Sequence, residues 1–166
     1  MPPDPEIFAL AQRVGERLVT LRKSIAVAES CTGGLLGAAL TDVPGSSAYF
    51  LGGVISYADH VKVDQLGIPE ATLRQYGAVS EQVAAAMAAG VRRLLHADIG
   101  VSVTGVAGPD AEGSKPVGLT FIGIAAGGGK SMTVTTHRFQ WTGDRWDNRR
   151  RSVIAALELL VRAPEL

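Results

Sequence analysis

The feature that most constrains the fold is a short apolar segment that passes directly into a polar turn and then into a helical pattern. Residues 24–28 (SIAVA) are mostly apolar and bounded by polar residues, as expected of a strand buried on both faces. Residues 29–34 (ESCTGG) form the turn, and residues 35–40 continue as a helix. A strand, a tight turn and a helix in this order are typical of an α/β domain.

Apolar segments and helical spacing alternate along the rest of the chain. The predicted helices cover residues 5–21, 35–40, 61–66, 80–96 and 144–161. The predicted strands cover residues 24–28, 49–57, 98–103, 117–125 and 132–139. Asp4 and Ser80 are of the types that cap helices, and the last two strands alternate like a hairpin around Gly127-Gly128-Gly129. We therefore expect an α/β fold with a mixed sheet that is covered on both faces.

Composition excludes several classes of function. The 166 residues are enough to bury a full core, so we expect a single domain over residues 1–166. The 16 basic and 16 acidic residues balance, which argues against a general nucleic-acid surface, and we expect neither a membrane span nor a signal peptide. Cys31 alone cannot form an internal disulfide, and the three histidines lack zinc-site spacing. The expectation is a cytoplasmic protein that uses no metal and no organic cofactor.

The turn after the first predicted strand carries most of the candidate chemistry. Ser30 and Cys31 are both potential nucleophiles, and the N–H groups and dipole of the following helix favour an anion or a developing oxyanion there. Cys31 has no paired histidine in the sequence, so Ser30 is the stronger candidate. The Gly-x-Ser-x-Gly motif of a hydrolase nucleophile elbow is absent, because Ala28 and Thr32 occupy its two glycine positions. The alternative, that Ser30 or Thr32 only caps the helix, stays open.

A second candidate pair, Tyr57 and Lys62, follows the second predicted strand. The spacing of five residues excludes the Tyr-x-x-x-Lys pair that short-chain dehydrogenases carry on one helix face. A lysine after a buried strand can lose its solvation, which lowers its pKa and lets it act as a base toward a hydroxyl. An exposed lysine on a short helix is the alternative, because lysines are rarely buried.

A third polar turn, Thr104-Gly105, ends the predicted strand over 98–103 and starts a loop over 105–116 that is rich in Gly and Pro. Open α/β sheets bind ligands at the carboxyl ends of their strands, and a loop of this length is typical of a functional segment. A tight glycine loop without a ligand is the alternative. We expect Ser30, Lys62 and this turn to line one cavity, because the three strands that precede them should be neighbours.

Six segments occur in the order in which they occur in the carboxy-terminal domain of the CinA family. They are residues 28–35 (AESCTGGL), 41–47 (TDVPGSS), Tyr57 with Lys62, 77–80 (GAVS), 104–109 (TGVAGP) and 115–118 (KPVG). Six blocks in this order are far more specific than any one of them, and they span nearly the whole chain. The chain therefore resembles this family.

The resemblance implies a three-layer α/β/α sandwich and, for members consisting of this domain alone, hydrolysis of nicotinamide mononucleotide to nicotinic acid mononucleotide and ammonia. It implies Ser30 as the nucleophile, with Tyr57 and Lys62 as the groups that activate it. The N–H groups near Thr32, Gly33 and Gly34 are expected to stabilise the oxyanion. The expected oxyanion and substrate-binding residues are Cys31, Thr32, Gly33, Gly34, Ser47, Thr104, Gly105 and Arg145, with Thr104, Gly105 and Arg145 as candidates for the phosphate.

Two segments depart from the usual family pattern. Residues 110–114 (DAEGS) are more acidic and less rich in glycine than usual, and Asp59-His60 replaces the common Asn-Glu. The competing interpretation of the whole chain is a noncatalytic nucleotide-binding regulatory module that uses the same glycine turns. Both interpretations predict a small-molecule nucleotide as the ligand, and the apolar strands and Ala-rich helices favour a homo-oligomer. Only the catalytic interpretation needs Ser30, Tyr57 and Lys62 to converge.

Overall fold

The apolar segments assemble into one mixed five-stranded sheet in the computed structural model, which describes residues 3–127 and 131–164. The strands are β1 (Ile25–Glu29), β2 (Phe50–Ile55), β3 (Ile99–Gly105), β4 (Leu119–Ala126) and β5 (Thr133–Gln140). Their order is β2-β1-β3-β4-β5. Strands β2, β1 and β3 are parallel, whereas β4 pairs antiparallel with both β3 and β5. The predicted mixed sheet and hairpin are confirmed, and Gly128-Gly129 of its turn lies outside the described residues.

Helices cover both faces of this sheet and make three layers. They are α1 (Pro5–Leu21), α2 (Leu35–Thr41), α3 (Asp59–Leu66), α4 (Glu70–Tyr76), α5 (Glu81–Leu94) and α6 (Arg145–Arg162). The side chains of α1, α2 and α6 pack with Val27 of β1 in one core, whereas α3 and α5 pack with its neighbours Ala26 and Ala28 in a second core. This alternation along β1 is the period of a strand that is buried on both faces. Within the described ranges, the helices are too short or too polar to cross a membrane.

The predicted caps determine where two helices begin. The Asp4 carboxylate accepts the N–H groups of Glu6 (3.0 Å) and Ile7 (3.2 Å) at the start of α1. The Ser80 hydroxyl accepts the N–H of Val83 (3.3 Å) at the start of α5. These side chains satisfy N–H groups that have no partner inside the helix, so the first residue of each helix follows from its cap.

The glycine pair Gly52-Gly53 lies within β2, where its pairing with β1 is irregular. The register of β1 against β2 shifts between Ile25 and Ala26, which pair with Phe50 and Gly52. Gly52 has a φ of 138°, and a Cβ on Gly53 would lie 2.7 Å from the carbonyl oxygen of Val27. A side chain at either position would strain the backbone or separate the two strands.

Helix α4 was not predicted from the sequence. It has seven residues, and none of them is fully buried. Pro69 precedes it without a side-chain cap, and Gly77 ends it. A helix of this length lacks the repeated apolar stripe on which a periodicity argument depends.

Candidate active site

The carboxyl ends of β1, β2 and β3 open onto a cavity of about 240 Å³. Parallel neighbours end at the same edge of a sheet, so the residues that follow these strands are brought together there. The lining includes residues from each of the three predicted turns, namely Ser30, Cys31, Tyr57, Lys62, Thr104 and Gly105. The loop over residues 106–112 and Arg145, the first residue of α6, form much of the remaining wall.

Lys62 lies at the base of this cavity with only 1% of its surface exposed. Its Nζ is 3.5 Å from Ser30 Oγ, and it donates to the carbonyl oxygens of Ser56 (2.8 Å) and Tyr57 (3.2 Å). Burial lowers the pKa of Lys62, because a buried ammonium loses its hydration. The carboxylates of Asp59 and Glu112 act in the opposite direction and raise that pKa.

The contacts of Lys62 fit both an ammonium and a neutral amine, and only the neutral amine can act as a base. A neutral amine has two N–H groups and one lone pair, whereas an ammonium has three N–H groups and no lone pair. The two carbonyl oxygens can accept both N–H groups of the neutral form. In the neutral form the lone pair can accept the proton of the Ser30 hydroxyl, as a base requires, whereas in the ammonium form Nζ donates to Ser30 Oγ across the same 3.5 Å.

Cys31 borders the same cavity but differs from Ser30 in its chemistry. Burial raises the pKa of its thiol to about 12. The carboxylate of Glu29 also raises this pKa, while Arg149 and Arg145 lower it less than burial raises it. Because the thiolate is the nucleophilic form of cysteine, a thiol with this pKa is a poor nucleophile near neutral pH.

The buried carboxylate of Glu29 occupies the amino end of α2. It accepts the N–H groups of Gly34 (3.1 Å), Leu36 (3.1 Å) and Gly37 (2.8 Å). The N–H of Gly33 donates to the carbonyl oxygen of Ser30 (3.1 Å). The expectation that Gly33 and Gly34 stabilise an oxyanion is therefore corrected, because their N–H groups are already engaged.

The N–H groups of Cys31 and Thr32 remain as candidates for that role. Across residues 3–127 and 131–164, neither donates to a backbone or side-chain oxygen. The Thr32 hydroxyl is fully buried and, among the same residues, makes no hydrogen bond. Arg149 of α6 holds this turn from its carbonyl side by donating to Cys31 O (3.1 Å) and Thr32 O (3.0 Å).

Replacing Glu29 with alanine is expected to destabilise the protein by about 3 kcal/mol, because three N–H groups at a buried helix end lose a charged acceptor. Urea unfolding followed by circular dichroism measures this loss. Glu16 of α1 is exposed and its carboxylate touches none of these groups, so Glu16→Ala is the control and should change stability by less than about 0.5 kcal/mol. Equal midpoints for the two variants would contradict a capping role for Glu29.

Tyr57 and Arg145 form a bridge across the mouth of the cavity. Arg145 donates to the Tyr57 hydroxyl (3.2 Å) and to the carbonyl oxygen of Gly108 (2.6 Å). The Tyr57 side chain is 59% exposed, and Lys62 contacts its backbone carbonyl rather than its ring. A relay through the Tyr57 hydroxyl to Ser30 is therefore absent from the hydrogen bonds of the described residues.

Of the remaining predicted site residues, two line the cavity and one lies outside it. Thr104 and Gly105 line the cavity, but the Thr104 hydroxyl donates to the carbonyl oxygen of Ala78 (2.8 Å) and is not free for a phosphate. A Cβ at Gly105 would lie 2.7 Å from Leu119 O, so this position needs glycine for packing. Ser47 lies in a short 3₁₀ helix before β2, at the amino ends of the strands, and it does not line the cavity.

Four charged residues of the site were not predicted from the sequence. Asp59, Asp110 and Glu112 line the cavity, and Arg149 fixes the turn that carries Ser30. The acidic composition of residues 110–114 was the available signal for two of them. The spacing of four residues between Arg145 and Arg149 was the signal for the last, because it places both on one face of a helix.

Comparison with known proteins agrees with the fold and with this arrangement of segments. Residues 7–163 match the family described as "CinA C-terminal domain". A CinA-like protein of Chlorobium limicola is 52% identical over 153 residues, which are 89% of this chain and 35% of that protein. The chain spans 35–37% of the length of several curated relatives that it matches.

Solved structures show the same fold. The competence/damage inducible protein CihA of Agrobacterium tumefaciens aligns with a TM-score of 0.90 and 37% identity, covering 97% of this chain and 96% of that one. A CinA superfamily protein of Escherichia coli aligns with a TM-score of 0.89 and 29% identity, covering 97% and 92% of the two chains. The match extends over almost the entire described sheet and its helices, so the chain belongs to the CinA C-terminal domain family.

Proposed function

We propose that this chain is a serine amidohydrolase that converts nicotinamide mononucleotide and water to nicotinic acid mononucleotide and ammonia. The observation that carries the proposal is the 3.5 Å approach of Lys62 Nζ to Ser30 Oγ at the base of a cavity. A lysine that is 1% exposed and lies next to a serine hydroxyl has the environment of a general base. A binding module would not need this pair. The choice of substrate rests on the family resemblance.

In the proposed reaction, neutral Lys62 takes the proton of the Ser30 hydroxyl as Oγ attacks the carboxamide carbon. The N–H groups of Cys31 and Thr32 stabilise the resulting oxyanion. The C–N bond then breaks, and the leaving nitrogen takes the proton from Lys62 and departs as ammonia. Water, deprotonated by the same lysine, hydrolyses the acyl ester, which restores the serine hydroxyl and releases the carboxylic acid.

Tyr57 has a different part in this reaction from the one expected. Its hydroxyl oxygen accepts a hydrogen bond from Arg145, so its own O–H is available to donate to a bound substrate. Its backbone carbonyl orients the amine of Lys62. In this proposal the Tyr57 hydroxyl donates to the substrate, whereas the Tyr57 backbone carbonyl positions the amine of Lys62.

The decisive experiment is release of ammonia from nicotinamide mononucleotide by the purified protein, measured with a coupled glutamate dehydrogenase assay. Formation of nicotinic acid mononucleotide in equal amount, seen by liquid chromatography, is the expected result. Calorimetric binding of the nucleotide without any ammonia would overturn the proposal and favour the regulatory module.

Replacing Asp59 with asparagine is expected to shift the acid limb of the pH profile of kcat/KM to lower pH. The Asp59 carboxylate lies 3.5 Å from Lys62 Nζ and raises the pKa of the lysine. Since the neutral amine is the active form, activity rises with pH through this pKa, and removing the carboxylate moves the rise toward acid. Because the Asp59 side chain is 66% exposed, water screens the pair and its contribution is up to about 1 kcal/mol, so activity on the acid limb should increase by up to about fivefold.

The matched control is Asp64→Asn. Asp64 is exposed on the same helix, α3, but it does not line the cavity and forms no ion pair with Lys62 among the described residues. Its profile should coincide with that of the unchanged protein. An acid limb that stays in place in Asp59→Asn would show that Lys62 does not control it.

A further inference from the structure

Five ionisable side chains other than cysteine and tyrosine line the candidate active site, and their charges are unequal. Asp59, Asp110 and Glu112 are acids, whereas Lys62 and Arg145 are bases. When Lys62 is neutral, as its role as a base requires, the cavity carries three carboxylates against one guanidinium. An empty cavity of this composition repels anions and attracts cations.

Both basic groups are already engaged by the protein. Lys62 donates to the carbonyl oxygens of Ser56 and Tyr57, and Arg145 donates to Gly108 O and to the Tyr57 hydroxyl. Asp59 faces Lys62. Over residues 3–127 and 131–164, the carboxylates of Asp110 and Glu112 have neither an ion-pair partner nor a hydrogen-bond donor. These two charges are therefore available to a ligand.

The position of Glu112 is set by its backbone. The N–H of Glu112 donates to Lys115 O (3.1 Å) and the N–H of Lys115 donates to Glu112 O (2.9 Å), which closes a small hairpin at the cavity mouth. Gly113, at its tip, has a φ of 57° and suits this tight turn. The charge of Glu112 is felt at Lys62, whose pKa it raises, so it would also be felt by a cation held between them.

We infer that Asp110 and Glu112 make the cavity selective for carboxamides on a positively charged ring, such as an N-substituted pyridinium, over the same amides on a neutral ring. The inference rests on the proposed function, because it assigns the cavity to the ring and its amide. A metal ion is not the better occupant, since the His, Cys, Asp and Glu side chains of the described ranges include no group of three that could hold one. An anionic phosphate on the same ligand is expected to lie outside these carboxylates.

The inference has a direct test in two ligands that differ by one ring charge. Nicotinamide mononucleotide has a pyridinium ring, and benzamide riboside 5′-phosphate has a neutral benzene ring with the same amide, ribose and phosphate. Dissociation constants are measured by calorimetry on Ser30→Ala protein, so that neither ligand is hydrolysed. The variants are Asp110→Asn, Glu112→Gln and the pair together, each in that background, and Glu16→Gln on α1 is the control.

The double variant is expected to weaken binding of the pyridinium ligand by about tenfold or more, and each single variant by about threefold to fivefold. Binding of the benzene ligand should change by less than about twofold, and the control should change neither. Equal changes for the two ligands, or no change for either, would overturn the inference. Absence of ammonia release by the unmodified protein would overturn the proposed function instead, and the comparison of the two ligands would still measure charge selectivity.

Discussion

Replacing Ser30 with alanine is expected to reduce amidase activity by about three orders of magnitude or more, because the reaction loses the atom that forms the acyl ester. The backbone at position 30 should be unaffected, since the N–H of Ser30 donates to Val103 O (2.9 Å) and alanine retains this N–H. Initial rates of ammonia release measure the loss, and circular dichroism checks the fold. An acid-quenched reaction of the unmodified protein should contain an ester between Ser30 Oγ and the carboxyl group of nicotinic acid mononucleotide, detectable by peptide mass spectrometry.

Two neighbours of Ser30 provide matched controls. Cys31→Ala should keep most of the activity, because burial holds the thiol protonated with a pKa of about 12. Thr32→Val should also be close to normal, because the buried Thr32 hydroxyl makes no hydrogen bond within the described part of the chain. If Cys31→Ala were inactive and Ser30→Ala active, the assignment of the nucleophile would have to be reversed.

Much of the fold could be predicted because its signals are local. The caps at Asp4 and Ser80 placed the starts of two helices within a residue, and the five apolar segments became the five strands. The strand over 49–57 was predicted too long, since β2 ends at Ile55. Residues Ser56 and Tyr57 leave the sheet, and both present their carbonyl oxygens to Lys62.

The candidate site could be located from the sequence because it depends on where strands end. Ser30, Lys62 and Thr104 follow or end β1, β2 and β3, and parallel neighbours bring such residues to one edge. The partners of individual polar groups were not predictable in this way. The carboxylate of Glu29 accepts the N–H of Gly34, which was expected to stabilise an oxyanion, and Arg145 donates to the Tyr57 hydroxyl. Such contacts depend on side-chain positions that no spacing rule encodes.

Ser47 was predicted as a site residue because it belongs to a segment that resembles the family, but membership of such a segment does not place a residue at the site. It lies in a turn with Gly45, but that turn precedes β2 and so faces the amino ends of the strands. Gly45 has a φ of 85°, which explains why the turn contains glycine. The turn therefore serves the connection between α2 and β2, and neither Gly45 nor Ser47 lines the cavity.

The charge of Lys62 is expected to matter less than its ability to lose a proton. Lys62→Arg keeps a cation near Ser30, but arginine cannot be deprotonated at working pH. Positioned proton transfer contributes about 10²-fold to 10⁴-fold to a rate, so the variant should lose activity by that factor. Lys62→Met, which has neither charge nor proton acceptor, should be equally slow. Lys23, half-exposed beside Asp98 and away from the cavity, provides the control Lys23→Arg, which should be normal.

The pH dependence separates a base from an electrostatic contact. Burial lowers the pKa of Lys62 below its usual value of about 10.4, so the neutral amine is present at a lower pH than for an exposed lysine. Activity of the unmodified protein should rise with pH through this shifted pKa, and the residual activity of Lys62→Arg should lack that rise. Lys62→Arg and Lys62→Met must first give the near-ultraviolet circular dichroism spectrum of the folded protein. If folded Lys62→Arg kept near-normal turnover with an unchanged profile, Lys62 would act only through its charge, and another base would have to activate Ser30.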